Sequence, residues 1–263
     1  MLFGMPTLVE LEKLEDCAKL ASELGLGFIE INMSFPEYTR ERFDVENAKN
    51  ISKKYGVFYT IHADEALNPF DFNKTVSDCY FKVMMDTIDV AKDIGAKVIN
   101  LHLQKGIYVT LPEKVVLLTD IYRDEYLNNV KRFIYECEKA IGDSGILIAI
   151  ENVDSNEFSK SQIEAIDLFM QSDAFALTLD TGHEVKLNFI DSHIYEKYPN
   201  KLMHMHLHDC KAGKPHLPLG AGEVDIKNKL SSLVGETCLI EVKTVSGLID
   251  SIKYIRKDLI DNG

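Results

Sequence analysis

Two periodicities alternate along this chain. Apolar residues recur at spacings of three, four and seven at Leu11, Leu14, Ala18 and Ala21; at Ala48, Ile51 and Tyr55; at Phe81, Met85, Ile88 and Ala91; and at Val130, Phe133, Ile134, Cys137 and Ile141. Stripes with that spacing bury one face of a helix. Gly25, Gly56, Gly95 and Gly142 follow the stripes, where glycine supplies the left-handed conformation that ends a helix. Ser161-Gln162-Ile163-Glu164 is expected to open a further helix as a capping box. Between the helices lie short apolar, β-branched runs at residues 2–5, 28–31, 57–61, 97–101, 146–150, 175–179, 202–207 and 238–242. Continuous apolar runs suit strands buried on both faces, as in a parallel sheet. Eight runs in 263 residues give about 33 residues per unit, one strand and one crossover helix. The alternation predicts an α/β protein, a single (β/α)8 barrel over residues 1–263. A doubly wound open sheet is the competitor. No G-x-G-x-x-G or Walker-type loop occurs, which counts against a nucleotide-binding version of that sheet.

Composition narrows the class. Hydrophobic residues make up 46% and charged residues 27%, values of an ordinary folded domain rather than a disordered one. The longest pure apolar runs are about five residues, against roughly 20 for a bilayer span, so no membrane partner is expected. The formal charge of −13 argues against a nucleic-acid partner, because phosphate neutralisation needs cations. Five scattered cysteines with no C-x-x-C, and an N-terminal run without basic residues, read as reduced thiols in a cytoplasmic protein. Cys17 and Cys137 fall on apolar helix faces and are expected in the core. A homo-oligomer is left open.

The chemistry lies where the apolar runs stop. Glu30 follows in the second run, His62 ends the third, His102 the fourth and Glu151 the fifth. The sixth ends Leu-Asp180-Thr-Gly-His183, the seventh reads His204-Met-His206-Leu-His208-Asp209, and the eighth carries Glu241. In a parallel barrel all strand C-termini open on one rim, so these groups converge. So many buried carboxylates and imidazoles need a partner, and a divalent cation supplies one. A single strand-end His is usually a packed, hydrogen-bonded residue, and a strand-end Glu can pair with Lys243 or Lys97. Recurrence on at least six strands weakens that reading. His204, His206 and His208 share one face but span roughly 13 Å at 3.3 Å per residue, so one ion cannot take all three. His206 is best placed, with His204 deeper and His208 nearer the rim. His193, in a helical stretch, is expected to be structural. His216 lies in a Pro/Gly loop beside the rim.

The segments Glu151-Asn152, Leu179-Asp-Thr-Gly-His183, His206-Leu-His-Asp209, His216-Leu-Pro-Leu-Gly-Ala-Gly222 and Ile240-Glu-Val242 resemble those of the xylose isomerase-like TIM barrels. That superfamily includes sugar epimerases, inosose dehydratases, hydroxypyruvate isomerases and endonuclease IV. Similarity to its ketose 3-epimerases implies one divalent ion (Mn, Co, Mg or Zn) on Glu151, Asp180, His206 and Glu241. It implies the two glutamates as catalytic acid and base, and substrate contact by His183 and Glu157. Ala212 stands where those enzymes carry an arginine, so Lys211 or Lys214 is expected to substitute. Glu30, His62, His102 and His216 are further expected substrate contacts. Similarity to endonuclease IV implies a zinc phosphodiesterase acting on abasic DNA, with matches at His62, His102, Glu151, Asp180, His183, His206, His216 and Glu241. Lys214 there replaces an aspartate ligand. The expectation is a metal-dependent isomerase or epimerase of a sugar or small polyhydroxy ketone, working through an enediolate. The nuclease and a related dehydratase are its alternatives.

Overall fold

The computed structural model describes residues 1–153, 155 and 157–260. Strands β1 (Leu2–Pro6), β2 (Phe28–Asn32), β3 (Phe58–His62) and β4 (Val98–His102) alternate with α1 (Leu14–Leu24), α2 (Val45–Tyr55) and α3 (Lys74–Ile94). A hairpin of β5 (Tyr108–Thr110) and β6 (Val115–Leu117) leads through α4 (Leu118–Ile121) into α5 (Arg123–Ile141). Then come β7 (Leu147–Glu151), α6 (Lys160–Phe169), β8 (Phe175–Asp180), α7 (Thr181–Lys186), α8 (Ser192–Lys197) and β9 (Leu202–Leu207). A second hairpin, β10 (Asp209–Lys211) with β11 (Lys214–Leu217), precedes α9 (Ile226–Ser232), β12 (Thr237–Ile240) and α10 (Val245–Tyr254).

Eight strands pair in parallel in the order β1-β12-β9-β8-β7-β4-β3-β2 and close into a barrel. Closure excludes the open sheet. The observed strands lie within a residue or two of the expected runs. The eighth ends at Ile240, yet the Glu241 N–H still donates to Leu207 O at 3.0 Å and carries the pairing one residue further. Among the described residues no helix is long and apolar enough to cross a membrane.

Three helix ends follow the local sequence signals and two are displaced from them. Gly25, Gly56 and Gly95 have φ of 74°, 69° and 75° and close α1, α2 and α3. Gly142 instead takes φ 52° with ψ −135°, and the left-handed residue is Gly145 at φ 72°. The capping box of α6 belongs to Ser159 and Gln162, not Ser161. The Ser161 hydroxyl donates to Asp120 Oδ1 at 2.7 Å, so a neighbouring element competes for it. All five cysteines are free, with Cys17 and Cys137 buried.

Alternation along each strand sorts side chains between the helices and the barrel interior. Outward residues such as Ile29, Ile61, Ile99, Ile148 and Ile150 join the main core beneath the helices. The interior is divided along its axis. At the N-terminal end the buried Phe28 ring stacks on Phe58 at 5.3 Å, and a Cβ on Gly4 would overlap it. Val98, Ala149 and Ala176 form a small apolar cluster there. Toward the C-terminal end the interior turns polar.

Candidate metal centre and active-site cleft

The register delivers the polar groups. Asp180 of β8 is level with His206 of β9, Glu151 of β7 is level with His102 of β4, and Asn32 of β2 is level with His62 of β3. Glu30, Glu151, Asp180 and Glu241 are 2%, 1%, 0% and 7% exposed. Four carboxylates in a barrel interior cost several kcal/mol each unless countercharge reaches them.

His206 is the hub. Its Nδ1 lies 3.1 Å from both Glu151 Oε1 and Glu241 Oε2, and its Nε2 lies 3.0 Å from Glu30 Oε1. Neither ring nitrogen makes an aligned hydrogen bond, and neither does Glu241 Oε2. Burial disfavours the imidazolium, but Glu151, Glu30 and Glu241 outweigh it and hold the His206 pKa well above the usual range. At Glu151 and Glu241 burial raises the pKa, but His206, joined by His102 at Glu151 and by Lys243 at Glu241, holds both well below the usual carboxylate range.

Glu30 stands behind His206 rather than in front of it. Its Oε2 accepts from the Thr60 hydroxyl at 3.0 Å and lies 3.2 Å from His204 Nε2. His204 Nδ1 lies 2.7 Å from the Thr237 hydroxyl, and burial lowers the pKa of this ring despite Glu30. A neutral His204 therefore accepts from Thr237 and donates to Glu30.

One oxygen each of Glu151, Asp180 and Glu241 and one nitrogen of His206 all lie within 4.8 Å of one another. Three carboxylates and an imidazole suit a hard or borderline divalent ion. The orphaned His206 Nδ1 and Glu241 Oε2 are what such an ion would satisfy, so the residues fit.

Around this set the structure gathers the other rim groups. Glu151 Oε2 accepts from the Asn100 amide and lies 3.0 Å from His102 Nε2 and 3.6 Å from His62 Nε2. Burial lowers the His62 pKa, but Glu151 raises it further, to about 9. Asn152 splices β7 to β8: its amide donates to Asp180 O at 2.9 Å, and its Oδ1 accepts from Asp180 N at 2.8 Å. His183 Nδ1 lies 3.4 Å from Asp180 Oδ2. Burial lowers the His216 pKa to about 4. The open cleft above, about 380 Å³, is lined by Glu30, His62, His102, His183, His216 and Glu241 among others. Small-molecule sites run from roughly 300 to 1,000 Å³.

Two expected contacts lie elsewhere. Glu157 is exposed and lines a separate groove with Lys186 and Ile190. Lys211 is exposed on β10, beside a two-residue turn whose Ala212 and Gly213 have φ of 50° and 73°. The arginine position of the 3-epimerases thus falls on a hairpin tip. Lys214 is exposed as well. The one lysine or arginine among the described cleft-lining residues is Lys243, 2.6 Å from Glu241 Oε1. His193 is exposed and bonds to Ile190 O, away from the cleft.

Asn100 was not singled out from sequence, nor was a role for Asp209, whereas the expected pairing of a strand-end Glu with Lys243 is present at Glu241. Asn100 alternates with His102 on β4, a period-two signal that could have found it. Asp209 gathers four backbone N–H groups at 2.8–3.0 Å, those of Cys210, Gly220, Gly222 and Val224. That carboxylate folds the loop bearing His216 against the rim.

Comparison with known proteins agrees with this architecture. The model of the xylose isomerase-like TIM barrel family matches residues 18–257. An uncharacterized protein of Methanocaldococcus jannaschii is 26% identical over 220 residues, 81% of this chain and 76% of its own. A D-tagatose 3-epimerase-like protein superposes with a TM-score of 0.78 at 23% identity, covering 98% of this chain and 97% of its own. The IolI protein, solved with a zinc atom bound, gives 0.74 at 16% identity, covering 99% and 97%.

Proposed function

The chain belongs to the xylose isomerase-like TIM barrel family, and we propose that it is a divalent-metal-dependent isomerase or epimerase of a sugar or small polyhydroxy ketone. What carries the reading is the pair Glu151 and Glu241, each with an oxygen 3.1 Å from the same His206 Nδ1 at the base of an open cleft. The similar folds of a D-tagatose 3-epimerase-like protein and of zinc-bound IolI support the direction. Glu151, Asp180, His206 and Glu241 would hold the ion. When bound, it supplies fixed positive charge for substrate oxygens and for the negative charge that develops on them.

One carboxylate removes the proton from the carbon beside the carbonyl. The C–H electron pair becomes the carbon–carbon double bond of an enediolate, and the carbonyl π pair moves onto oxygen. The other carboxyl group, carrying a proton, returns one to carbon. His62, His102, His183 and His216 line the cleft as donors or acceptors for hydroxyl groups, and Lys243 adds a positive charge beside Glu241.

The donor group His62, His102 and Glu151 keeps a second reading in play, because a second ion there would suit phosphodiester hydrolysis. Protein purified without chelator should carry one divalent ion per chain and, in D₂O with keto-sugars, place deuterium on the carbon beside the carbonyl. Two or three ions with cleavage of abasic DNA and no deuterium uptake would establish the hydrolase instead. Net loss of water from a polyol substrate would establish the dehydratase.

A further inference from the structure

His208 follows β9 directly and continues the inward row of His204 and His206. His208 is fully buried, and its ring reaches three partners, His216 N–H, Asp180 and Asp209 O. The backbone N–H of His216 donates to its Nδ1 at 2.8 Å. Its Nε2 lies 2.9 Å from Asp180 Oδ2. An amide N–H always donates, and the 2.8 Å contact from His216 N is shorter than the 3.2 Å contact to Asp209 O, which assigns Nδ1 as the acceptor and the ring proton to Nε2, donated to Asp180. Both nitrogens are thereby engaged, and His208 lies outside the donor set Glu151, Asp180, His206 and Glu241.

Three further features hold the ring there. The Thr181 hydroxyl donates to His208 O at 3.0 Å and ties the end of β9 to α7. Gly182 leaves room for the ring, because a Cβ at that position would overlap His208 Cε1 and Nδ1. His216 takes φ 58°, a left-handed conformation costly for a side chain of its size, which presents its N–H to His208. Asp180 meanwhile caps α7 by accepting His183 N–H at 2.7 Å on Oδ1.

We propose that His208 is a positioning residue that joins the His216 loop to Asp180, so that metal binding at Asp180 and ordering of the loop are one linked equilibrium. The proposal rests on Asp180 being a ligand, as in the proposed function. A ligand aspartate held by a buried imidazole keeps its orientation, and loss of such a partner typically weakens metal affinity 10–100-fold. Linkage is reciprocal, so an ion that favours the held Asp180 also favours the loop conformation that holds His208.

The test uses metal-stripped full-length protein and Co²⁺ alone, followed by calorimetric titration, the visible Co²⁺ spectrum and amide hydrogen exchange. His208→Leu should weaken Co²⁺ binding by about 10–100-fold and alter the visible bands. It should also abolish Co²⁺-induced protection of amides 216–222. His208→Gln keeps an N–H donor and should recover most of the affinity. Gly182→Ala pushes the same ring from the other side without touching any ligand and should reproduce the His208→Leu phenotype. Thermal midpoints of the metal-free variants tell folding defects from ligand effects. Equal Co²⁺ affinity, unchanged bands and retained loop protection in folded His208→Leu and Gly182→Ala proteins would overturn the proposal. Wild-type protein that takes up no divalent ion would overturn the ligand assignment, and the linkage with it.

Discussion

The two ends of the barrel interior are built from the same eight strands and the same alternation, and they do opposite things. At the N-terminal end Phe28, Phe58, Val98, Ala149 and Ala176 fill space with apolar volume. At the C-terminal end Glu30, Glu151, Asp180, Glu241, His204, His206 and His208 fill comparable space with groups that water would otherwise solvate. The floor gains stability from burial, about 25 cal/mol per Å² of apolar surface. The mouth gives stability up unless charge is balanced. Strand pairing is continuous between them, so the mouth's cost is borne by the floor and by the helical shell.

That contrast can be broken at several points. The largest effect is expected from Glu241→Gln, which keeps shape and one acceptor oxygen but cannot carry the proton. Turnover of a responsive keto-sugar should fall by about 10²–10⁴-fold, with the urea midpoint close to wild type. A variant that unfolds instead would make Glu241 a structural residue. At the opposite end, Phe28→Ala should lower unfolding free energy by roughly 3–5 kcal/mol in urea titrations while leaving ion stoichiometry intact. Saturating metal-stripped protein with Mn²⁺ at 100 times its Kd should stabilise it by about 2.7 kcal/mol, read as a raised thermal midpoint. The same addition to Asp180→Asn should give a smaller shift. Gly4→Ala, which presses a methyl into the Phe28 ring, should cost about 1–3 kcal/mol with unchanged ion affinity. If Gly4→Ala weakened the ion as much as Asp180→Asn, the two ends would not be separable.

Much of this was legible beforehand for a physical reason. Period-two alternation in a closed parallel barrel fixes both where a strand-end residue lies along the axis and which way it points, so the strand-end carboxylates and histidines could be brought to one rim from sequence, and the family resemblance picked Glu151, Asp180, His206 and Glu241 among them. The loops obey no such period. Glu157 and Lys211 were assigned from the resemblance to the 3-epimerases, and beyond the strand ends nothing in this sequence fixes which way such side chains point. The hairpins β5–β6 and β10–β11 have strands of three or four residues, too short for a periodic signal. Glu30 lines the cleft as expected, but its partners Thr60, His204 and His206 come from two other strands. That cluster appears only once the barrel closes. Ser161 was taken as a helix cap because the competing acceptor, Asp120, lies 41 residues away.

The loop over the rim is fastened by its main chain rather than by its side chains, since Asp209 takes N–H groups from positions 210, 220, 222 and 224. A fastening made to the backbone is indifferent to most of the sequence it holds. Two of the fastened positions call for glycine: Gly220, at φ 83° against the Tyr254 ring, and Gly222, where a Cβ would overlap Asp209. Lys214, Pro215, Leu217, Ala221 and Glu223 are free of that constraint. They can be varied together in a selection for new substrates, with the rim's shape conserved while its chemistry is rewritten.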